Sequence, residues 1–157
     1  MVLQDARKLA NDLMQEHGLT NWTFYFDSSV RRFGACHHGT RCISLSKALT
    51  ELNDETQVRN TLLHEIAHAL VGRGHGHDAV WRAKAIELGD DGKRCYDSNI
   101  VNRPAPKFMG RCPSCDHKIY KNRRGQSACG LCCRKHNNGR YSEEYRIRWS
   151  KNLVAHT

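Results

Sequence analysis

Two histidines and a glutamate stand together in the stretch TLLHEIAHAL, residues 61–70. On an α-helix, positions i and i+4 share one face, so the rings of His64 and His68 can direct nitrogens at a single point. Glu65 lies about 100° around the helix axis, close enough to reach a water at the metal without being a ligand itself. This HExxH spacing predicts a zinc site in which Glu65 is the general base.

A third ligand is needed, because catalytic zinc normally has three protein ligands and one open position. The segment GRGHGHDAVW, residues 72–81, offers His75 and His77, and its glycines allow the chain to reverse towards the metal. His77 stands at the start of the next helix, where Trp81 can anchor that helix one turn later. We favour His77 and keep His75 as the alternative. Without a third ligand, the motif would be only the polar face of a surface helix.

A second set of candidate metal ligands lies in the last third of the chain. Two C-x-x-C pairs with thirteen residues between them predict a closed, tetrahedral structural zinc site. Cys133 could replace Cys132, although the C-x-x-C spacing favours Cys132, and His117 and His136 are less favoured ligands. Few apolar residues surround these cysteines, so zinc binding should supply much of the folding energy. The predicted ligands are Cys112, Cys115, Cys129 and Cys132.

The other cysteines have no partner at ligand spacing, and we predict that they are small buried residues: Cys36, Cys42 and Cys95. The first eighteen residues mix acidic and basic side chains where a signal peptide would be apolar. No apolar run approaches the length of a membrane span. We therefore expect a soluble, intracellular protein, and in such a compartment a content of eight cysteines favours metal ligation over disulfides.

Periodicity indicates the elements that must position these residues. We predict helices over residues 2–17, 46–51, 78–88 and from Asn53 or Asp54 to about Val71. Strands are expected at 22–26 and on either side of a turn at Gly39. Residues 90–106 have the composition of a linker, and residues 140–149 alternate enough to form a strand.

Charge is distributed unevenly along the chain. Residues 103–157 hold 13 of the 25 Lys and Arg but only 3 of the 16 Asp and Glu. Such asymmetry favours a polyanionic partner, most often nucleic acid, although a basic solvated surface would look the same. The aromatic residues among the basic ones could stack on unpaired bases, but more than half of them should form the core of this segment. The candidate DNA-binding residues are Lys107, Arg111, Lys118, Lys121, Arg123 and Arg124.

The segments LNDETQVRNTLLHEIAHALVG and GHGHDAVW resemble the SprT-like (Spartan-type) zinc metalloprotease family. In that family a third zinc histidine stands in a short H-G/D-x-x-W segment, which His77-Asp78-Ala79-Val80-Trp81 matches. FGACHHGTRCISLS resembles the family's hairpin, and the cysteine pairs resemble its C-terminal zinc ribbon. The resemblance covers approximately residues 2–151. It implies DNA-dependent proteolysis, notably of proteins crosslinked to DNA.

These observations predict an α/β (α+β) chain with two parts. Residues 1–102 should form a zincin-like metalloprotease domain, a small β-sheet packed on helices, and residues 103–157 a β-rich, basic zinc ribbon with four cysteine ligands. We expect a monomer that binds one catalytic and one structural Zn²⁺, a protein substrate, and single-stranded or structured DNA with little sequence specificity. The alternative is a non-catalytic nucleic-acid-binding or regulatory protein in which the HExxH site is inactive or structural.

Overall fold

A computed structural model describes residues 1–94 and 101–153. The chain divides into two compact units, Met1–Pro104 and Ala105–Thr157. The predicted domain boundary, after residue 102, falls two residues earlier than this division. Cys95 lies outside the described residues, so its predicted burial stays a prediction.

In its described residues, the first unit contains four helices and one sheet of three strands. The central strand of this sheet is β3 (Cys42–Ser46), with β1 (Thr23–Asp27) parallel to it on one side and β2 (Gly34–His37) antiparallel on the other. Strand β2 therefore has no neighbouring strand on its outer side among the residues that the structure describes. The elements are α1 (Leu3–Glu16), β1 (Thr23–Asp27), β2 (Gly34–His37), β3 (Cys42–Ser46), α2 (Lys47–Leu52), α3 (Glu55–Val71) and α4 (Ala79–Glu87).

A main hydrophobic core joins the sheet to α1, α2 and α3, while α4 packs on α3 through a second, smaller cluster around Trp81. Helix α1 buries residues spaced three and four apart, which places one apolar stripe against the core. Strand β3 directs Ile43 and Leu45 into the same core, while the long helix α3 adds Leu62, Leu63 and Ile66. Because α3 is packed along this side, its opposite side is free to carry polar groups.

The boundary between the two units lies inside the predicted linker, residues 90–106, but some described residues of this segment pack within the first unit. Asp90 and Val101 are buried, and the Asn102 N–H donates to the side chain of Asn53 at 2.7 Å. The predicted burial of Cys36 and Cys42 is wrong, because both thiols are partly exposed. The polar and acidic composition of residues 90–106 suggested a linker, but a few buried contacts hold part of this segment against the rest of the first unit.

The second unit is a small sheet with one helix. Strand β4 lies at its centre and pairs antiparallel with β5 and β6. The prediction of a β-rich unit omitted the helix, and the strand predicted over 140–149 is partly a 3₁₀ turn at Glu143–Tyr145. The remaining elements are β4 (Phe108–Arg111), β5 (Lys118–Lys121), α5 (Gly130–His136) and β6 (Arg148–Lys151).

The predicted mixed α and β class, with small sheets packed on helices, is confirmed. Within the described part of the chain, no helix combines the length and apolar character needed to span a bilayer.

Candidate metal centres

Helix α3 positions the first two histidines. Asp54 caps its first turn by accepting the Gln57 N–H at 3.0 Å. The helix continues for 17 residues and ends at Gly72, whose φ of 85° is readily adopted by glycine. His64 and His68 lie one turn apart on the half-buried side of the helix, opposite its core-facing leucines.

The loop after α3 returns the chain to these histidines. Asp78 caps α4 by accepting the Trp81 N–H at 3.0 Å, and its second oxygen bonds the His75 ring at 2.8 Å. His75 is thereby directed to Asp78, whereas His77 joins His64 and His68. The fully buried Trp81 ring lies beneath all three, with ring centroids 4.6–5.1 Å away. Of the two alternatives, the geometry brings together His77 rather than His75.

The three rings present their Nε2 atoms to one point. His77 Nε2 lies 3.0 Å from His64 Nε2 and 3.1 Å from His68 Nε2. Two nitrogens bound to one tetrahedral zinc at the usual bond length are about 3.3 Å apart. Lone pairs of neutral imidazoles approach this closely only around a proton or a cation. The donor set therefore fits a divalent metal ion of the zinc type.

Electrostatics favour the metal-binding, neutral form of two of these rings, those of His68 and His77. Burial, followed by the neighbouring rings of His64 and His77, lowers the pKa of His68 to about 4. Burial and His64 also lower the pKa of His77. A neutral imidazole has a free lone pair, so little proton competition opposes metal binding at neutral pH.

Glu65 lies between α3 and β2, with 8% of its surface exposed. A backbone N–H from Cys36 bonds its carboxylate, and a Cβ added at Gly34 would stand only 2.8 Å from its Cγ and Oε1. Burial raises the pKa of Glu65 to about 7, while His64 and Arg32 act in the opposite direction. The carboxylate is thus held beside the candidate ligand His64 by strand β2.

The four predicted cysteines of the second unit converge as well. Cys112 Sγ lies 3.8 Å from Cys132 Sγ, and Cys115 Sγ lies 3.6 Å from Cys129 Sγ. Sulfurs around a tetrahedral zinc are about 3.8 Å apart, so this set fits a closed site with four thiolate ligands. Cys133 is buried in the adjacent core and is not part of the cluster.

The six predicted DNA-binding residues do not share one surface. Arg111 and Lys118 are cross-strand neighbours, and Arg148 lies on the other side of Arg111. Lys121 projects to the opposite face, where its Nζ lies 5.9 Å from the Trp149 ring. On that same face Arg124 stacks over Phe108 at 5.1 Å. Lys107 and Arg123 are exposed beside the sheet.

We name the side with Arg111 the outer face of the ribbon sheet. Its opposite side packs on the cysteine core, since Gly110 lies against Ile147 and Trp149. Among the aromatic candidates, Tyr145 is buried and Trp149 half-buried, while Tyr120 remains 51% exposed on the outer face. The outer face consists of Met109, Arg111, Lys118, Tyr120, Arg148 and Ser150.

Two residues at the histidine site were missed by the sequence analysis. Gly34 allows Glu65 to pack against β2, and a glycine inside a strand pattern is a known signal of close approach. Asp90 places its carboxylate 3.5 Å from His64 Nδ1. It falls in the segment predicted to be a linker, and no spacing rule connects it to the HExxH motif.

Comparison with known proteins identifies the family of the first unit. No curated protein matches the chain. Among solved structures, the chain is similar to the zymogen of the metallopeptidase jannalysin from Methanocaldococcus jannaschii. The identity is 14%, over 60% of this chain and 85% of that one, with a TM-score of 0.47. The description "SprT-like family" matches residues 3–103, more than half of the 157 residues. The chain therefore belongs to the SprT-like family.

Proposed function

We propose that this protein is a zinc metallopeptidase that acts on proteins bound or crosslinked to DNA. One observation carries the peptidase part: three Nε2 atoms meet at one point beside the buried carboxylate of Glu65. Membership of the SprT-like family supports the same activity. The DNA part rests on the charge and shape of the ribbon sheet.

The residues of the site have separate tasks in peptide hydrolysis. His64, His68 and His77 would hold a zinc ion, which would supply Lewis-acid polarisation of the scissile carbonyl and a lower pKa for the attacking water. Glu65 accepts the proton of that water and delivers it to the leaving amine. The Cys36 N–H holds the carboxylate in place for both transfers.

Strand β2 offers a place for the substrate backbone beside this site. It is the edge of the sheet among the described residues, and Gly34 lies against Glu65. An extended peptide can add to such an edge by main-chain hydrogen bonds, which tolerate many side chains. This mode suits a peptidase whose substrates are all attached to DNA but have no amino-acid sequence in common.

The outer face of the ribbon sheet suits single-stranded nucleic acid. Arg111, Lys118 and Arg148 form one cross-strand row of cations. Arg111 is also paired with Asp116, so Lys118 and Arg148 carry most of the net positive charge. Tyr120 stands in the next row, beside Met109, with its ring available for stacking on a base.

The peptidase proposal is tested with Glu65→Gln. We expect this variant to lose cleavage of a protein crosslinked to single-stranded DNA by about 10²- to 10⁴-fold, because no base remains to accept the proton. Zinc content and DNA affinity should equal those of the wild type. Cleavage at the wild-type rate would overturn the mechanism. A wild-type protein that binds DNA and zinc without cleaving would favour a non-catalytic binding protein.

The DNA proposal is tested with Tyr120→Ala, measured by fluorescence anisotropy on a labelled single strand. Loss of one stacking ring should weaken binding by about 1–3 kcal/mol. Tyr141→Ala is the matched control, because Tyr141 is equally exposed but lies outside the sheet and bonds Glu143. Equal effects of the two variants would contradict a docking surface on the outer face.

A further inference from the structure

Asp90 is fixed in position by the end of helix α4. The Gly89 N–H bonds the Ile86 carbonyl at 3.0 Å, and the Asp90 N–H bonds the Ala85 carbonyl at 2.9 Å. This pair of bonds is a Schellman motif, and Gly89 provides its left-handed residue with φ of 94°. The motif ends α4 and turns the next side chain back towards α3. Asp90 therefore has a defined place next to the histidine site.

The Asp90 carboxylate is buried and incompletely bonded. Its side chain is 5% exposed, and Oδ1 accepts the Asp91 N–H at 2.7 Å. Oδ2 has no hydrogen-bond partner among the described residues. The group facing it is His64 Nδ1, at 3.5 Å. Burying a carboxylate is unfavourable unless it is paired, so this placement requires a compensating contact.

The two ring nitrogens of His64 point to different groups. Nε2 joins the nitrogens of His68 and His77, whereas Nδ1 is directed at Asp90. Asp90 consequently lies on the far side of the ring from the point where the three nitrogens meet. Asp90 is placed to accept a hydrogen bond from the Nδ1–H group of His64 and is not a fourth ligand.

We propose that Asp90 is a positioning residue that orients His64 through Nδ1–H and strengthens metal binding at the histidine site. A carboxylate on the remote nitrogen fixes the tautomer with its lone pair on Nε2 and makes that nitrogen more basic. The inference rests on the proposed function, since it assumes that His64 is a metal ligand.

The test compares Asp90→Ala and Asp90→Asn with Asp91→Asn in the full chain. Asp91 is the matched control, because it is the adjacent carboxylate, 54% exposed, and paired with Lys93 at 2.9 Å. Zinc is titrated against a chromophoric chelator, and the histidine-site step is identified as the one missing in His68→Ala. Cobalt substitution reports the cysteine site separately through its thiolate absorption.

Asp90→Ala should weaken zinc at the histidine site by about 10- to 100-fold, with a smaller loss in Asp90→Asn, whose amide oxygen can still accept. The histidine-site affinity of Asp91→Asn and the cysteine-site affinity of all variants should stay within about two-fold of the wild type.

Zinc affinity within about two-fold of the wild type in Asp90→Ala would overturn the inference. An equal loss of zinc affinity in Asp91→Asn would also overturn it. If Asp90→Ala does not fold, as judged by circular dichroism, the same criterion applies to Asp90→Asn. Failure of the wild type to bind zinc through its histidines would instead refute the proposed function.

Discussion

The two candidate metal centres differ in what surrounds them. The three histidines are half-buried: His64 and His68 lie on α3, which a separate core of 15 buried side chains in the described part of the chain already holds, and His77 lies just before α4. Among the described residues of the second unit, four of the six buried core residues are cysteines, and three of these belong to the candidate metal cluster. One site is thus carried by a fold that does not need the metal, whereas the other site is a large part of its own fold. From this difference we expect an exchangeable metal ion at the histidine site and a permanently bound, structural one at the cysteine site.

The largest expected effects come from removing one ligand from each centre, because the two centres should respond differently. Cys112→Ser should unfold the second unit, because structural zinc contributes about 10–16 kcal/mol to folding in small zinc domains. His68→Ala should leave both units folded and lower the zinc content by one ion per chain. Hydrogen exchange of residues 105–153 and 1–94 measures the two outcomes separately. Unchanged protection of the second unit in Cys112→Ser would show that its fold stands without the metal.

Gly34→Ala should damage chemistry at the first centre without removing its metal. The new methyl group would lie 2.8 Å from the Glu65 side chain, which must move away. A displacement near 1 Å costs about 10²-fold in rate, so we expect a loss of that order in cleavage at unchanged zinc content.

Gly39→Ala is the control for this substitution, because Gly39 lies in the same hairpin as Gly34. Its new methyl group would meet only the flexible end of the Arg73 side chain. Equal activity of the two alanine variants would show that β2 does not position Glu65.

The smallest effect is expected at His75. Its ring bonds Asp78 near the surface, a contact worth less than about 1 kcal/mol. His75→Ala should therefore keep zinc content and cleavage within about two-fold, while His77→Ala should lose zinc from the histidine site. Loss of that zinc in His75→Ala would instead identify His75 as the third ligand.

Local patterns predicted the elements that carry the ligands. Helix α3 and its Asp54 cap, the reversal after Gly72 and the C-x-x-C pairs all depend on neighbours within a few residues. Such features follow from spacing and capping chemistry. The ligand residues could therefore be named before their distances were known.

Features that depend on distant partners were not predicted. Asp90 and Gly34 matter through contacts with α3. The glycine in a strand pattern signals a close approach without naming the residue that approaches, and nothing near Asp90 in the sequence points to His64. Helix α5 has only seven residues and begins at a glycine, so its propensity is poor; it buries Cys132 and Cys133. The tail over 140–149 alternates like a strand, but a 3₁₀ turn places Tyr145 in the cysteine core.

The central claim is that three imidazoles hold one metal ion in the first unit. X-ray absorption at the zinc edge tests it most directly, using wild-type protein and His68→Ala, each with the cysteine site filled. The account predicts that the wild-type spectrum minus the cysteine-site spectrum corresponds to one zinc with nitrogen neighbours at about 2.0–2.1 Å, and that His68→Ala lacks this component. A wild-type spectrum with sulfur neighbours only, at one zinc per chain, would contradict it.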